Sequence, residues 1–295
     1  MDRIEEVVII GAGPSGISTA IQLKRYGIEP VIFEKNRIGG LLLNANLVEN
    51  YPGFPEGVSG IELVKLFEEH LKNSGIEVYN LEVTELDFEE EVFLIYTKDK
   101  LFRSKIVVIA SGTKPKEFSR IPGNVKDRIF YEIYPLFEVR NKKIVIVGGG
   151  DAAFDYALNL SEQNETIILN RSRNRKCLPL LWERVTHSHR ITYYDNSEIV
   201  NVKDLQHGLR LVIQCRCDKE KSEFFADYLV FAIGREPQID YFSEKLKEDR
   251  CKLNDLGRLY FVGDVKNNHY RQTAIAVGDG IYSAMKIYEI KRNHK

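Results

Sequence analysis

The sequence predicts an α/β protein built from two similar halves, each a parallel sheet layered between helices. Two observations predict this fold. A β-branched strand, a glycine-rich turn and a helical pattern follow one another over residues 7–27, and the same order returns over residues 144–160. Apolar runs of only four residues are typical of buried parallel strands. Each half therefore predicts a Rossmann-like, three-layer dinucleotide-binding domain.

The predicted elements follow in chain order. In the first half we expect strands at 7–10, 31–34, 76–78, 83–88, 92–97 and 102–110, with a helix at 62–73 that ends at Ser74-Gly75. In the second half we expect strands at 144–147, 166–169, 191–194, 198–202, 209–217 and 224–232, and then a helix from Gln272 to Met285. Linker-like segments at 111–115 and 234–237 bracket the second half. The predicted domains are therefore 1–113 with 236–295, and an inserted domain at 114–235.

Composition excludes several classes of protein. A chain of 295 residues fits about two domains. The net charge of −1 gives no general attraction to nucleic acid or anionic membranes. No apolar run approaches the ~20 residues of a membrane span, and the charged start of the chain does not resemble a secretion signal. Four cysteines are too few for a disulfide framework, and none forms a Cys-x-x-Cys pair. We expect a cytoplasmic protein.

The first glycine turn predicts a phosphate site. Gly11 would make the turn, Gly13 would allow a pyrophosphate to approach the backbone, and Gly16 would let the helix pack closely on the strand. The helix N-terminus supplies N–H groups and the positive end of a dipole. Glu34 ends the next strand, where a carboxylate accepts hydrogen bonds from ribose hydroxyls.

The second turn carries Gly148, Gly150 and Ala153, but no acidic residue ends its next strand. Arginines follow instead, at positions 171, 173 and 175. Guanidinium groups bind a 2′-phosphate, which a carboxylate would repel. The second half therefore predicts NADPH rather than NADH, with Arg171, Arg173 and Arg175 as its 2′-phosphate ligands; a merely solvated basic turn is the alternative.

These motifs resemble the low-molecular-weight thioredoxin reductase-like flavoproteins, a group that includes ferredoxin–NADP reductases. The resemblance runs from Val7 almost to the C-terminus, and it rests on segments 11–16, 39–40, 48–55, 110–113, 148–153, 232–237, 262–265 and 270–274. It implies FAD in the outer domain, NADPH in the inserted domain, and a homodimer.

The resemblance also implies site residues. Those for FAD are Gly11, Gly13, Pro14, Ser15, Gly16, Glu34, Lys35, Gly39, Gly40, Leu41, Asn50, Ala110, Ser111, Gly112, Gly263, Asp264, Arg271, Gln272 and Thr273. Those for NADPH are Gly148, Gly150, Asp151, Ala152, Ala153, Arg171, Arg173, Arg175, Ile233, Gly234 and Arg235. The start of the last predicted helix would point its positive end at the flavin, where charge develops on reduction.

Disulfide-reducing members of this group carry a Cys-x-x-Cys pair, followed by an acid, before the second glycine turn. Counted back from Gly148, those positions hold Tyr131, Tyr134 and Pro135. A phenol cannot replace a thiol in disulfide exchange. Tyr131 and Tyr134 therefore become candidates for covering the flavin or stacking a substrate, with core packing as the alternative.

None of the four cysteines is expected to replace the missing pair. Cys215 and Cys217 would share one face of an extended strand, too far apart for a disulfide. Cys177 follows the arginines, whose field could lower its pKa, but a buried or incidental thiol is the favoured interpretation of each cysteine. His269 is a candidate proton donor beside the flavin, with a surface-loop histidine as the favoured alternative, and we expect no metal site.

The leading hypothesis is an NADPH-dependent FAD oxidoreductase whose external acceptor reaches the flavin itself. Ferredoxin or flavodoxin ranks slightly ahead of a small molecule such as a quinone, a low-molecular-weight disulfide or dioxygen. The lack of a C-terminal extension, usual in dithiol-free ferredoxin reductases, weakens the ferredoxin hypothesis. A non-enzymatic redox sensor that binds flavin and NADPH is the alternative of a different class.

Overall fold

The computed structural model describes residues 3–119 and 123–293. The chain divides into two compact units. Unit 1 comprises the chain up to Leu43, Val48–Lys114 and the chain from Glu236 onward, and unit 2 comprises Asn44–Leu47 and Pro115–Arg235. The predicted boundaries at 113/114 and 235/236 lie within one residue of this division, but the short segment Asn44–Leu47, which we expected in the outer domain, groups with unit 2.

Unit 1 is built on a parallel sheet in the order β3-β2-β1-β6, extended by β17 against the second part of β6. The first part of β6 pairs antiparallel with β5, which pairs in turn with β4. Residues 7–9 of β1 and residues 107–109 of β6 are fully buried, which explains their β-branched sequences. The strands are β1 (Ile4–Ile10), β2 (Pro30–Glu34), β3 (Val78–Asn80), β4 (Val83–Glu89), β5 (Val92–Thr97), β6 (Leu101–Ile109) and β17 (Leu259–Phe261).

Four helices belong to unit 1: α1 (Pro14–Arg25), α2 (Gly60–Asn73), α5 (Glu244–Asp255) and α6 (Thr273–Asn293). A capping box starts α2, because the Ser59 hydroxyl accepts from the Glu62 N–H while Glu62 accepts from the Ser59 N–H. Helices α1 and α6 pack closely through small residues, with Gly280 against Ser18 and the carbonyl oxygen of Ser15.

Unit 2 contains a second parallel sheet, in the order β11-β10-β9-β15-β8, and an antiparallel sheet, in the order β12-β13-β14. Helices α3 (Asp151–Ser161) and α4 (Pro179–His187) accompany them. The strands are β8 (Ile129–Phe130), β9 (Lys143–Val147), β10 (Glu165–Leu169), β11 (Ile191–Tyr194), β12 (Ser197–Leu205), β13 (Gly208–Cys215), β14 (Lys221–Ala226) and β15 (Tyr228–Phe231).

Three sequence predictions are wrong in detail. The single strand expected at 224–232 is two strands in different sheets, separated at Asp227, whose carboxylate accepts the Lys143 N–H at 2.9 Å. The strand expected to reach Cys217 ends at Cys215, where the chain turns. The two predicted linkers are partly extended, because β7 (Thr113–Pro115) and β16 (Arg235–Pro237) pair with each other.

The α/β fold itself agrees with the prediction, including the two parallel sheets that follow the two glycine turns. The last helix starts at Thr273, one residue later than expected, and continues to Asn293.

Candidate functional site

The first glycine loop joins β1 to α1 and is held by backbone contacts that only glycine permits. Gly11 has φ +107°, and a Cβ added there would overlap the carbonyl oxygen of Ala110 at the end of β6. A Cβ on Gly16 would overlap the carbonyl oxygen of Gly11. These two glycines therefore set the tight turn and the close helix–strand packing that the sequence predicted.

Gly13 differs from its neighbours because a Cβ added there would have no atom within 4 Å. Its lack of a side chain is therefore not required by packing within the protein. It is also the N-cap of α1, with no side-chain cap and with Pro14 in the first turn. This open approach to a helix N-terminus is the cradle that a pyrophosphate fits.

Glu34, at the end of β2, faces this loop. Its Oε2 accepts the Ala12 N–H at 2.8 Å and its Oε1 accepts the Asn36 N–H at 2.9 Å. Each carboxylate oxygen has a second lone-pair direction, so the group retains capacity for ribose hydroxyls. The residue both orders the glycine loop and presents negative charge beside it.

Other predicted FAD residues lie around the same loop. The Gly39 N–H donates to the Ala12 carbonyl at 2.8 Å, and Gly40 lies next to Gly13. Gly263, with φ +74°, packs against Ser15, so the turn that carries Asp264 lies beside the start of α1. Segments far apart in sequence therefore meet at one helix N-terminus in unit 1.

The sequence analysis missed Asp279 on α6. Its Oδ2 accepts the Gly263 N–H at 3.0 Å and the Asn267 side-chain N–H at 2.6 Å, while its Oδ1 pairs with Lys266 at 2.9 Å. This carboxylate fixes the turn that carries Asp264. In the sequence, the small residues beside Asp279 in α6 are the one feature that indicates a close contact between this helix and the turn.

The amides of Asn50 and Gln272 meet, with the Asn50 Nδ2–H donating to the Gln272 Oε1 at 2.9 Å. Gln272 directly precedes α6, which begins at Thr273. The exposed rings of His269 and Tyr270 stand 4.0 Å apart in the same approach to the helix. The structure thus groups Asn50 with the 269–273 segment, as the predicted flavin site requires.

The second glycine loop, between β9 and α3 in unit 2, makes similar close contacts. A Cβ on Gly148 would lie 2.6 Å from the carbonyl oxygen of Ala232, and Gly150 again has no atom within 4 Å of that position. Ala153 takes the place of Gly16 and is fully buried. Asp151 begins α3, and its Oδ1 accepts the Leu178 N–H at 2.8 Å.

The arginine segment runs along this second loop. The Lys176 N–H donates to the Gly149 carbonyl at 2.7 Å. The buried side chain of Asn170 occupies the place of Glu34; its Oδ1 accepts the Ser172 N–H, and its Nδ2 donates to the Tyr193 hydroxyl at 3.0 Å. The Arg175 guanidinium lies 4.2 Å above the Trp182 ring, which fixes its orientation.

The segment that contains Tyr131 and Tyr134 packs within unit 2. The Tyr131 hydroxyl accepts the Phe118 N–H at 3.0 Å, and its ring stacks on Phe231 with centroids 5.7 Å apart. The buried Asn44, which the sequence analysis also missed, accepts the N–H groups of Ile133 and Tyr134, each at 2.9 Å. Core packing, the alternative left open for Tyr131, accounts for its contacts.

The remaining predicted residues have simpler surroundings. Lys35 pairs with Glu82 at 3.8 Å, Ser111 donates to the Gln238 carbonyl at 2.6 Å, and Arg235 pairs with Glu132 at 3.0 Å. Positive φ angles mark Gly112 and Gly234. Leu41 is half-buried, whereas Ala152, Ile233, Arg171 and Arg173 are exposed.

All four cysteines are free. Burial raises the pKa of the Cys177 thiol, the charge of Asp151 adds to this, and these effects outweigh the lowering by Arg175. Within residues 3–119 and 123–293, no group of three His, Cys, Asp or Glu side chains is placed to hold a metal ion. In the same part of the chain, no helix combines the length and apolarity needed to cross a membrane.

Comparison with known proteins agrees with this geometry. The pyridine nucleotide-disulphide oxidoreductase family matches residues 5–280. The chain belongs to this family. Among curated members, thioredoxin reductase of Chlamydia pneumoniae is 27% identical over 95% of this chain and 96% of its own length.

Solved structures of the family are also similar. Thioredoxin reductase of T. acidophilum matches with a TM-score of 0.86 and 26% identity, covering 98% of this chain and 99% of that chain. The Lactococcus lactis enzyme has a TM-score of 0.84 and 26% identity, covering 97% and 98% of the two chains. The thioredoxin reductase-like family and the fold of two Rossmann-like domains are thereby confirmed. The family uses FAD and NADPH, as predicted.

Proposed function

We propose that the protein is an FAD-dependent NADPH oxidoreductase that delivers electrons from its flavin directly to an external acceptor, without a catalytic dithiol. In this proposal unit 1 binds FAD and unit 2 binds NADPH. The two cofactors supply hydride transfer and electron storage, and the chain supplies binding, orientation and charge.

For FAD, the first glycine loop would hold the pyrophosphate at the start of α1. Glu34 would accept from the adenosine ribose, and Asp264, in the turn fixed by Asp279, would accept from the ribityl chain. Asn50, Arg271, Gln272 and Thr273 would lie at the ring, beside the N-terminus of a helix whose dipole favours negative charge. The open approach to Gly13 supports this assignment.

For NADPH, the second loop would hold the pyrophosphate at the start of α3. Arg171, Arg173 and Arg175 would bind the 2′-phosphate. The uncharged Asn170 in place of Glu34 supports this preference, because a carboxylate at that position would repel the phosphate.

The observation that supports transfer without a dithiol is the sequence of the segment from Phe130 to Phe137, which contains no thiol. Within this segment the hydroxyl and the ring of Tyr131 are both engaged inside unit 2. A thioredoxin acceptor, suggested by the names of the relatives, requires exchange with an enzyme thiol. We therefore infer that the acceptor reacts at the flavin.

Ferredoxin or flavodoxin remains the first acceptor to test. A small molecule, namely a quinone, a low-molecular-weight disulfide or dioxygen, is the second acceptor to test. The exposed rings of His269 and Tyr270 favour the quinone, because a planar molecule could stack on them. A homodimer in the cytoplasm completes the proposal. A sensor that binds both cofactors without turnover is the competing function.

The test uses the FAD-loaded protein under anaerobic conditions. NADPH is expected to bleach the flavin absorbance faster than NADH does, and each acceptor is then mixed with the reduced protein while the flavin band is followed. Reoxidation identifies the acceptor. NADPH binding without bleaching would instead establish the sensor.

A cysteine-free variant carrying Cys177→Ser, Cys215→Ser, Cys217→Ser and Cys251→Ser is the matched control. We expect it to bind FAD and to keep its turnover with the identified acceptor within about twofold, since none of the four thiols is fully buried and each substitution changes one side-chain atom. Loss of turnover in a folded, flavin-loaded variant would overturn the proposed direct transfer from the flavin.

A further inference from the structure

The tip of the β13–β14 hairpin in unit 2 carries two thiols that no step of the proposed reaction uses. An extended strand places residues i and i+2 about 6.8 Å apart, at the limit for a disulfide. The strand ends at Cys215, however, and the chain then turns: the Lys219 N–H donates to the Cys215 carbonyl at 3.1 Å, and Lys219 has φ +67°. Cys215 and Cys217 therefore do not lie on one extended strand, contrary to the sequence-based expectation.

Within this turn Cys217 contacts the sulfur atom of Cys215. The Cys217 N–H donates to the Cys215 Sγ at 3.4 Å. Cys217 is exposed and Cys215 is half-buried, so a small reagent can reach the pair.

We propose that Cys215 and Cys217 form a reversible thiol–disulfide site that reacts with low-molecular-weight disulfides. One cysteine thiolate attacks a sulfur of the small disulfide and releases one small thiol. The second cysteine attacks the mixed disulfide, closes the Cys215–Cys217 bond and releases the other small thiol. The protein pair loses two electrons and two protons, which leave with the two small thiols.

The surrounding charges determine the pH dependence of this exchange. The hydrogen bond with Cys215 raises the pKa of Cys217, and burial and the charges of Asp218 and Asp195 add to this shift. Because the thiolate is the nucleophile, we expect the rate to keep rising with pH beyond the ordinary titration range of a cysteine. The site would therefore react slowly at neutral pH.

The experiment treats the FAD-loaded protein with oxidised glutathione, blocks the remaining thiols with N-ethylmaleimide, and reads intact and peptide masses. We expect the peptide containing Cys215 and Cys217 to lose two hydrogen atoms and to escape the label. The mixed disulfide should stay below about a tenth of the protein, because closure within one turn outpaces attack from solution. Dithiothreitol should reverse the change.

Single variants separate the two steps. Cys215→Ser should accumulate the mixed disulfide on Cys217, whereas Cys177→Ser with Cys251→Ser should behave as the wild type. Two glutathione adducts on the wild-type pair, a dimer linked through Cys217, or an unoxidised pair that N-ethylmaleimide still labels would each overturn the proposal. Flavin bleaching by NADPH in the same samples tests the proposed function independently.

Discussion

The two glycine loops of this protein make the same close contacts at their first glycine but differ in charge. Gly11 and Gly148 each face a carbonyl oxygen at the end of a neighbouring strand, and Gly13 and Gly150 are each open. The following strand ends in Glu34 in unit 1 and is followed by Asn170 in unit 2. The glycines therefore set where a pyrophosphate fits, while the residue after the strand decides which ribose substituent is accepted. Substitutions in each loop test these two roles separately.

The largest effect is expected at the third small residue of each loop. Gly16→Ala would drive a Cβ into the Gly11 carbonyl, and we expect about 2–3 kcal/mol less free energy of unfolding. Ala153→Gly at the equivalent position should cost only about 1 kcal/mol, from helix propensity. Urea unfolding followed by circular dichroism measures both. Because Trp182 lies in unit 2, its fluorescence follows the unfolding of that unit. If Gly16→Ala instead raised the free energy of unfolding, helix propensity rather than close packing would determine the effect of residue 16 on stability.

The next effect concerns charge in unit 2. In the double variant Arg171→Ala with Arg175→Ala, we expect the KM for NADPH to rise about 10- to 100-fold, the loss typical of charge-assisted hydrogen bonds. The KM for NADH should change less than about threefold, because NADH has no 2′-phosphate. Arg190→Ala, at an exposed arginine outside the segment, is the matched control. Equal losses with both nucleotides would contradict the assignment of the arginines.

Glu34 provides the corresponding test in unit 1. Removing its carboxylate in Glu34→Ala deletes the acceptor of the Ala12 N–H and the proposed ribose acceptor, so FAD should bind about tenfold or more weakly. Asn170→Ala should leave FAD affinity unchanged. Isothermal titration of apoprotein with FAD measures both. Unchanged FAD affinity in Glu34→Ala would show that this carboxylate only orders the loop.

Local and distant contacts explain how much the sequence predicted. The β-branched runs and glycines act within a few residues, so both loops, the parallel sheets and the inserted half were predictable. Asp279 and Asn44 act on backbone groups 16 and 89 residues away, and no local pattern shows such contacts. The turn after Cys215 lacks glycine and proline and uses Lys219 at positive φ, so its sequence resembles a continuing strand.

Asp279 provides a smaller, indirect test of the FAD site. In Asp279→Asn the Gly263 N–H keeps an acceptor but Lys266 loses its ion pair, so the turn that carries Asp264 should loosen. We expect FAD affinity to fall by about three- to tenfold, the cost of one weakened polar contact. Lys286→Ala on the same helix is the control, since the exposed Lys286 side chain pairs with Glu289 and lies over the Tyr282 ring. A stability loss without a change in FAD affinity would limit Asp279 to a role in folding.

The smallest expected effect is a change in NADPH affinity when the Cys215–Cys217 pair is oxidised. Arg216, between Cys215 and Cys217, donates from Nη1 to the Arg171 carbonyl at 3.2 Å, and its N–H donates to the Asn196 carbonyl at 2.7 Å. Closing the disulfide must shift this arginine and, through it, the arginine segment. If both proposals hold, oxidation should change NADPH affinity about two- to fivefold, the size of one surface contact, and leave FAD affinity unchanged. Titration of NADPH into reduced and oxidised protein measures the effect, and Arg216→Ala should abolish it without preventing disulfide formation.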